Sequence, residues 1–160
     1  MEKLIDKLDS YHLFNYLVPG FLFIILSKNI MNINIYNNGI VEMAFIAYFI
    51  GIIISRIGSL FVSKILDKRN ADYGDYLKAS KTDSKIESLL QERNMYRTLC
   101  SMLIVLILFK VLYDLIILFN IDKKIVMYLL YIALIFLFIK SYDKQNKYLV
   151  NRIKANCNKK

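Results

Sequence analysis

The stretch from Gly39 to Lys64, GIVEMAFIAYFIGIIISRIGSLFVSK, leaves this chain few folds to choose from. It holds about twenty apolar residues in a nearly unbroken run, enough at ~1.5 Å per residue to cross a hydrocarbon layer of ~30 Å as a helix. The segment reads as a membrane span. Small residues recur along it at every fourth position, as Ala47, Gly51, Ser55, Ser59 and Ser63, with Gly58 beside them. Such a row makes a smooth face where a second backbone can approach, and lipid tails, as apolar as leucine, do not otherwise drive helices together. The face marks helix contact within one subunit, between subunits, or along a pathway. Beside it stands Arg56, about one turn from the helix middle, where a charge costs at least ~2.5 kcal/mol on insertion scales. It either shapes a hydrated path or gate, or snorkels to the nearer interface.

The rest of the chain repeats the pattern. Of 160 residues 57% are hydrophobic, which is too apolar for a soluble domain of this size, and the length fits one domain. Residues 1–18 place Leu4, Ile5, Leu8, Tyr11, Phe14 and Leu17 at helical spacing opposite Lys3, Asp6, Lys7 and Asp9, as an interfacial amphipathic helix would. Glu2, Asp6 and Asp9 precede the first apolar run, so no removable signal peptide is expected. The spans fall at about 11–28, 41–63, 98–119 and 125–141. Pro19 and Gly20 predict a kink or break in the first, with a re-entrant hairpin as its alternative. The sequence ADYGDY over 71–76 predicts a turn. Ser84 and Glu87 are spaced as a capping box, which predicts a third helix starting near Ser84 and projecting past the membrane. The fourth also continues, through Tyr142, Leu149, Val150 and Ile153, into a basic tail over 142–160.

Charge assigns the sides. The net charge is +9, and 17 of the 22 basic residues fall in the amino terminus, the 64–97 connection and the tail, against three in the two short loops. By the positive-inside rule both termini and the 64–97 loop are expected to be cytoplasmic. The fold expected is all-α, with four transmembrane helices and the third and fourth extended into the cytoplasm. Lys110 and Asp114 stand four apart in the third span, on one face and within reach of each other. They either neutralise each other against neighbouring helices or line a hydrated path with Arg56. Four short helices cannot enclose water alone, so conduction requires a homo-oligomer.

A second cationic set, Arg93, Arg97, Lys144, Lys147 and Arg152, has tyrosines interleaved. If the two long helices pack together past the membrane, these residues ring a vestibule that attracts polyanions. The plainer reading of the same charge is topology alone. His12 is the one histidine, Cys100 and Cys157 are too far apart for a metal motif, and no catalytic set or phosphate loop occurs. Neither an enzyme nor a cofactor is expected.

Three stretches, YHLFNYLVPGFLF, YFIGIIISRIGSLFVSKIL and YGDYLKASKTDSKIESLLQERNMYRTL, together resemble the small bacterial four-helix membrane effectors that accompany anti-phage defence genes, of the Hailong type. The resemblance covers roughly residues 11–99. It implies a homo-oligomeric, channel-like assembly, a tetramer, acting in abortive infection. It also implies control by a single-stranded oligodeoxyadenylate made by a partner nucleotidyltransferase, the bound oligonucleotide keeping the effector silent. A reading from another class is a non-conducting membrane anchor that recruits a soluble partner through the central loop and tail.

Overall fold

A computed structural model describes residues 13–32, 39–66, 73–83 and 85–157, and every element in them is a helix. Helix α1 is Leu13–Met31, α2 is Ile40–Leu66, α3 is Tyr73–Thr82, α4 is Lys85–Leu118 and α5 is Lys123–Cys157. All but α3 are long and apolar enough to cross a membrane. The chain is a multi-pass membrane protein. The interfacial helix expected before residue 13, and the Ser84 half of the capping box, lie outside the described residues.

The helix ends follow from local chemistry. Asp83 starts α4: its carboxylate accepts the Lys85 N–H at 2.9 Å and its carbonyl the Ile86 N–H at 3.3 Å. Asp122 does the same for α5 through the Lys124 N–H at 2.9 Å. Asn120, at φ 48°, closes α4: the Ile121 N–H reaches back to the Ile116 carbonyl and the Asn120 N–H to that of Ile117. That pairing is a Schellman ending, with asparagine in the left-handed position usually taken by glycine. Asn32, at φ 54°, ends α1.

Two local expectations are corrected. The described part of the predicted turn over 71–76, residues 73–76, is instead the start of α3, whose first turn holds Gly74 and Asp75, the carboxylate complementing the helix dipole. The predicted break at Pro19 and Gly20 does not occur. The chain runs as one helix because Leu13–Leu17 widens into a π turn and Pro19 falls in the first α turn after it, where a missing donor is tolerated. A re-entrant hairpin is excluded by the same continuity.

Helices α1, α2 and α4 pack as a three-helix bundle around Phe23, Met31, Ile54, Met102 and Leu106. Phe23 and Phe109 close it with rings 5.7 Å apart. The α1–α2 contact is backbone on backbone: a Cβ built on Gly20 would overlap the Ala47 carbonyl, and one on Gly51 the Tyr16 carbonyl. Through Ala47 and Gly51 the small-residue row thus meets α1 of its own chain, and along the row Ala47, Gly51, Ser55 and Ser63 are buried and Ser59 half-buried. Helix α5 stands apart. It seats against α2 through Phe138 on Phe49, Leu137 and Ser141 are buried, and only 6% of its apolar window is buried, against 33% for α1 and α2.

Gly51→Leu should push α1 from α2 and lower the thermal unfolding midpoint in detergent micelles, as overpacking by ~1–3 kcal/mol would. Gly39→Leu, with nothing within 4 Å of its Cβ direction, should leave it unchanged; equal midpoints for both would refute the close approach.

Candidate functional site: a polar belt and a lone ion pair

Polar side chains from four helices gather at one level of the structure. On α1, Asn15 is buried and its side-chain carbonyl lies 2.9 Å from the Thr98 hydroxyl of α4, which also lies 2.9 Å from the Asn94 carbonyl. One hydroxyl proton serves both acceptors in turn, so the contact ties α1 to α4 without leaving a bare donor. Next to it the Arg56 guanidinium donates to the Tyr16 hydroxyl at 3.5 Å, and Tyr16 meets Tyr48 edge to face at 5.8 Å. Gly58 brings α2 against the Ser101 side chain of α4, whose hydroxyl bonds the Arg97 carbonyl at 2.6 Å.

Helix α5 joins the belt through a single cation. The Lys144 ammonium donates to the Ser59 carbonyl and, at 3.0 Å, to the Ser59 hydroxyl. Ser59 belongs to the π turn Gly58–Val62, and its carbonyl also accepts the Ser63 hydroxyl at 2.7 Å. A π turn sets backbone carbonyls off the regular ladder, which exposes an acceptor that an α-helix would turn inward. Both π turns among the described residues, Leu13–Leu17 and Gly58–Val62, adjoin this belt. Bonds between helices in a bilayer are individually small, ~0.6 kcal/mol on average and up to ~1.7. For the sparsely packed α5, such a bond is nevertheless a large share of what holds it.

Lys110 and Asp114 form an ion pair at 2.5 Å on α4, with side chains 38% and 55% exposed. The pair sits about 20 Å along the helix from Arg97, which bonds into the belt. The structure does not bring it to Arg56, which faces α1. Of the expected vestibule residues, Arg97 and Lys144 reach α2 at consecutive positions, Gly58 and Ser59, whereas Arg93, Lys147 and Arg152 are exposed.

The packing expected between the extended third and fourth helices does not form within one chain. Leu149 and Ile153 are exposed, because Ser59 and Phe49 seat α5 on α2 and away from α4. Asn15, Tyr16, Thr98 and Ser101 escaped the sequence reading. Their one signal was polarity at helix-face spacing, Thr98 and Ser101 being three apart at the head of an apolar run.

Among the described residues no group of His, Cys, Asp or Glu could hold a metal ion, and the free thiols Cys100 and Cys157 are exposed. No family model, curated protein or solved structure matches the chain.

Lys144→Met should loosen α5. With Cys100 and Cys157 replaced by serine, cysteines at positions 49 and 138 should cross-link readily in the parent chain and several-fold less in Lys144→Met. An unchanged yield would show that Lys144 does not hold the helix.

Proposed function

We propose that the chain is the subunit of a homo-oligomeric channel of a bacterial cytoplasmic membrane, with both termini cytoplasmic, closed by an anionic single-stranded oligonucleotide bound at its basic end. The observation that carries this reading is the Lys110–Asp114 pair, exposed on a helix of membrane-crossing length. Exposed charges at membrane depth are stabilised by a bundle interior or a water-filled cavity rather than by lipid. A single chain has neither on that side of α4, whose apolar window is 17% buried. Copies of the chain supply both when α4 faces inward toward a shared path.

The gate in this reading is the basic end. Helices of 34 and 35 residues measure about 51 and 52 Å, some 20 Å more than a hydrocarbon core, and carry Arg93, Arg97, Lys144, Lys147 and Arg152 past the apolar boundary. Oligomerisation multiplies that charge around one axis, which suits a polyanion such as oligodeoxyadenylate. The resemblance to defence effectors supplies the setting, with a partner nucleotidyltransferase as the source of the ligand. A ligand shifts the gate only by binding one state better. The bond of Lys144 on α5 to Ser59 on α2 supports this reading, since a ligand that draws on the Lys144 ammonium would bind better where that bond is broken.

The exposed stripe Tyr142, Leu149 and Ile153 favours a second reading, in which the same extension recruits a soluble protein to a non-conducting anchor.

The test is ion flux from liposomes holding the purified protein at low salt. Flux is expected, suppressed by a short deoxyadenylate oligomer and sharply reduced by Asp114→Leu. The oligomer's affinity should fall with salt, with a log–log slope near about −0.7 per phosphate neutralised. Oligomeric, folded protein that passes no ions under either condition would leave the anchor reading in its place.

A further inference from the structure

Arg56 poses a question that a path along α4 does not answer. Its guanidinium is half-buried about 24 Å along α2 from Ile40, short of the far edge of a ~30 Å core. Among the described residues its polar contact is the Tyr16 hydroxyl at 3.5 Å, long for a hydrogen bond, and no carboxylate meets it. A guanidinium stays charged at any physiological pH, so something anionic must compensate it.

The packing shows where. Positions 49, 56 and 59 lie on one stripe of α2, at the spacing of a single helix face. Helix α5 meets two of them, Phe49 through Phe138 and Ser59 through Lys144, while α1 meets Arg56 through Tyr16. Arg56 therefore lies on the floor of a furrow between α1 and α5. Lys144 borders it one turn away, and Lys140, four residues earlier on α5, stands over the Phe136 ring with its ammonium 5.4 Å from the centroid. Phe49, half exposed, continues the furrow toward the apolar middle.

We infer that this furrow binds an anionic phospholipid, with the headgroup phosphate on the Arg56 guanidinium and an acyl chain running along Phe49. The guanidinium fork matches two phosphate oxygens, and the flanking ammonium groups complete a cationic rim within side-chain reach of the headgroup level. Basic pockets between membrane helices on the cytoplasmic side take such lipids, and that leaflet is the anionic one. An oligonucleotide fits worse here, because one phosphate on Arg56 would draw its neighbours into the apolar zone beside Phe49. The inference uses the membrane fold and is independent of conduction.

The test uses the full-length protein in detergent micelles with equal amounts of dioleoyl phosphatidylglycerol and dioleoyl phosphatidylcholine, the retained lipid being counted by native mass spectrometry. The parent chain should retain phosphatidylglycerol preferentially. Arg56→Gln should lower that preference about fivefold, the contribution of one cation near an anionic surface, and Arg56→Lys should restore part of it. Lys140→Gln, an exposed change that leaves the bundle intact, should also lower it, and Lys123→Gln, at the opposite end of α5, should not. A parent chain without preference, or Arg56→Gln and Lys140→Gln both matching the parent, would overturn the proposal. Displacement of the retained lipid by a deoxyadenylate oligomer would overturn it too, assigning the furrow to the oligonucleotide. None of these readouts involves flux, so a failed channel and a failed lipid site are told apart.

Discussion

The close approach of α1 to α2 is the constraint from which the other contacts follow. With Gly20 against Ala47 and Gly51 against Tyr16, the two backbones touch, and their relative height leaves no latitude. Dispersion between backbones is the main attraction open to helices in lipid, since burying apolar side chains from apolar solvent contributes little. Once that height is set, Asn15 arrives opposite Thr98 and Tyr16 opposite Arg56. A shift of one residue along α1 would turn each of those side chains by about 100° and leave Asn15 unsatisfied in an apolar surrounding. The polar belt is thus a consequence of the glycine contact and also a check on its register.

Helix α5 has no such contact. It has no glycine, buries little, and meets α2 through one aromatic pair and one lysine. That asymmetry separates a rigid three-helix unit from an arm whose position a few interactions decide. Ordering of this kind suits a switch, because the free energy needed to move the arm is of the same small size as a single interhelical bond. The π turn at Gly58–Val62 provides the acceptor for Lys144 and lies where α2 also touches Ser101. A change at Ser59 is therefore felt by both α4 and α5.

The four long apolar helices were legible in the sequence because length and hydropathy alone decide them. The small-residue row was legible as a contact face, but not its partner, since Gly51 reads the same whether α1 or another subunit covers it. The turn expected over 71–76, helical from Tyr73 on, shows the limit of composition: a glycine and two aspartates look like a loop until the dipole of a first helical turn, which favours Asp75, is considered. Asn15–Thr98 was beyond reach, because pairing across 83 residues depends on helix heights that no local pattern encodes. Lys110 and Asp114 lay at the other extreme, a pair that four-residue spacing predicts and the structure joins.

The chain handles its intramembrane charges in two ways, and the presence of a counter-charge separates them. Lys110 and Asp114 each carry a counter-charge one helical turn away. Their remaining exposure then calls for protein or water on the open side of α4. Arg56 lies within side-chain reach of the boundary, and among the described residues no carboxylate stands beside it. For an arginine there, a phosphate from the surrounding leaflet is the nearest abundant anion, and snorkelling brings the guanidinium to it without moving the helix. In the proposed assembly the self-paired charges on α4 would meet other copies of the chain, and Arg56, beside which no carboxylate stands among the described residues, would meet the lipid around it.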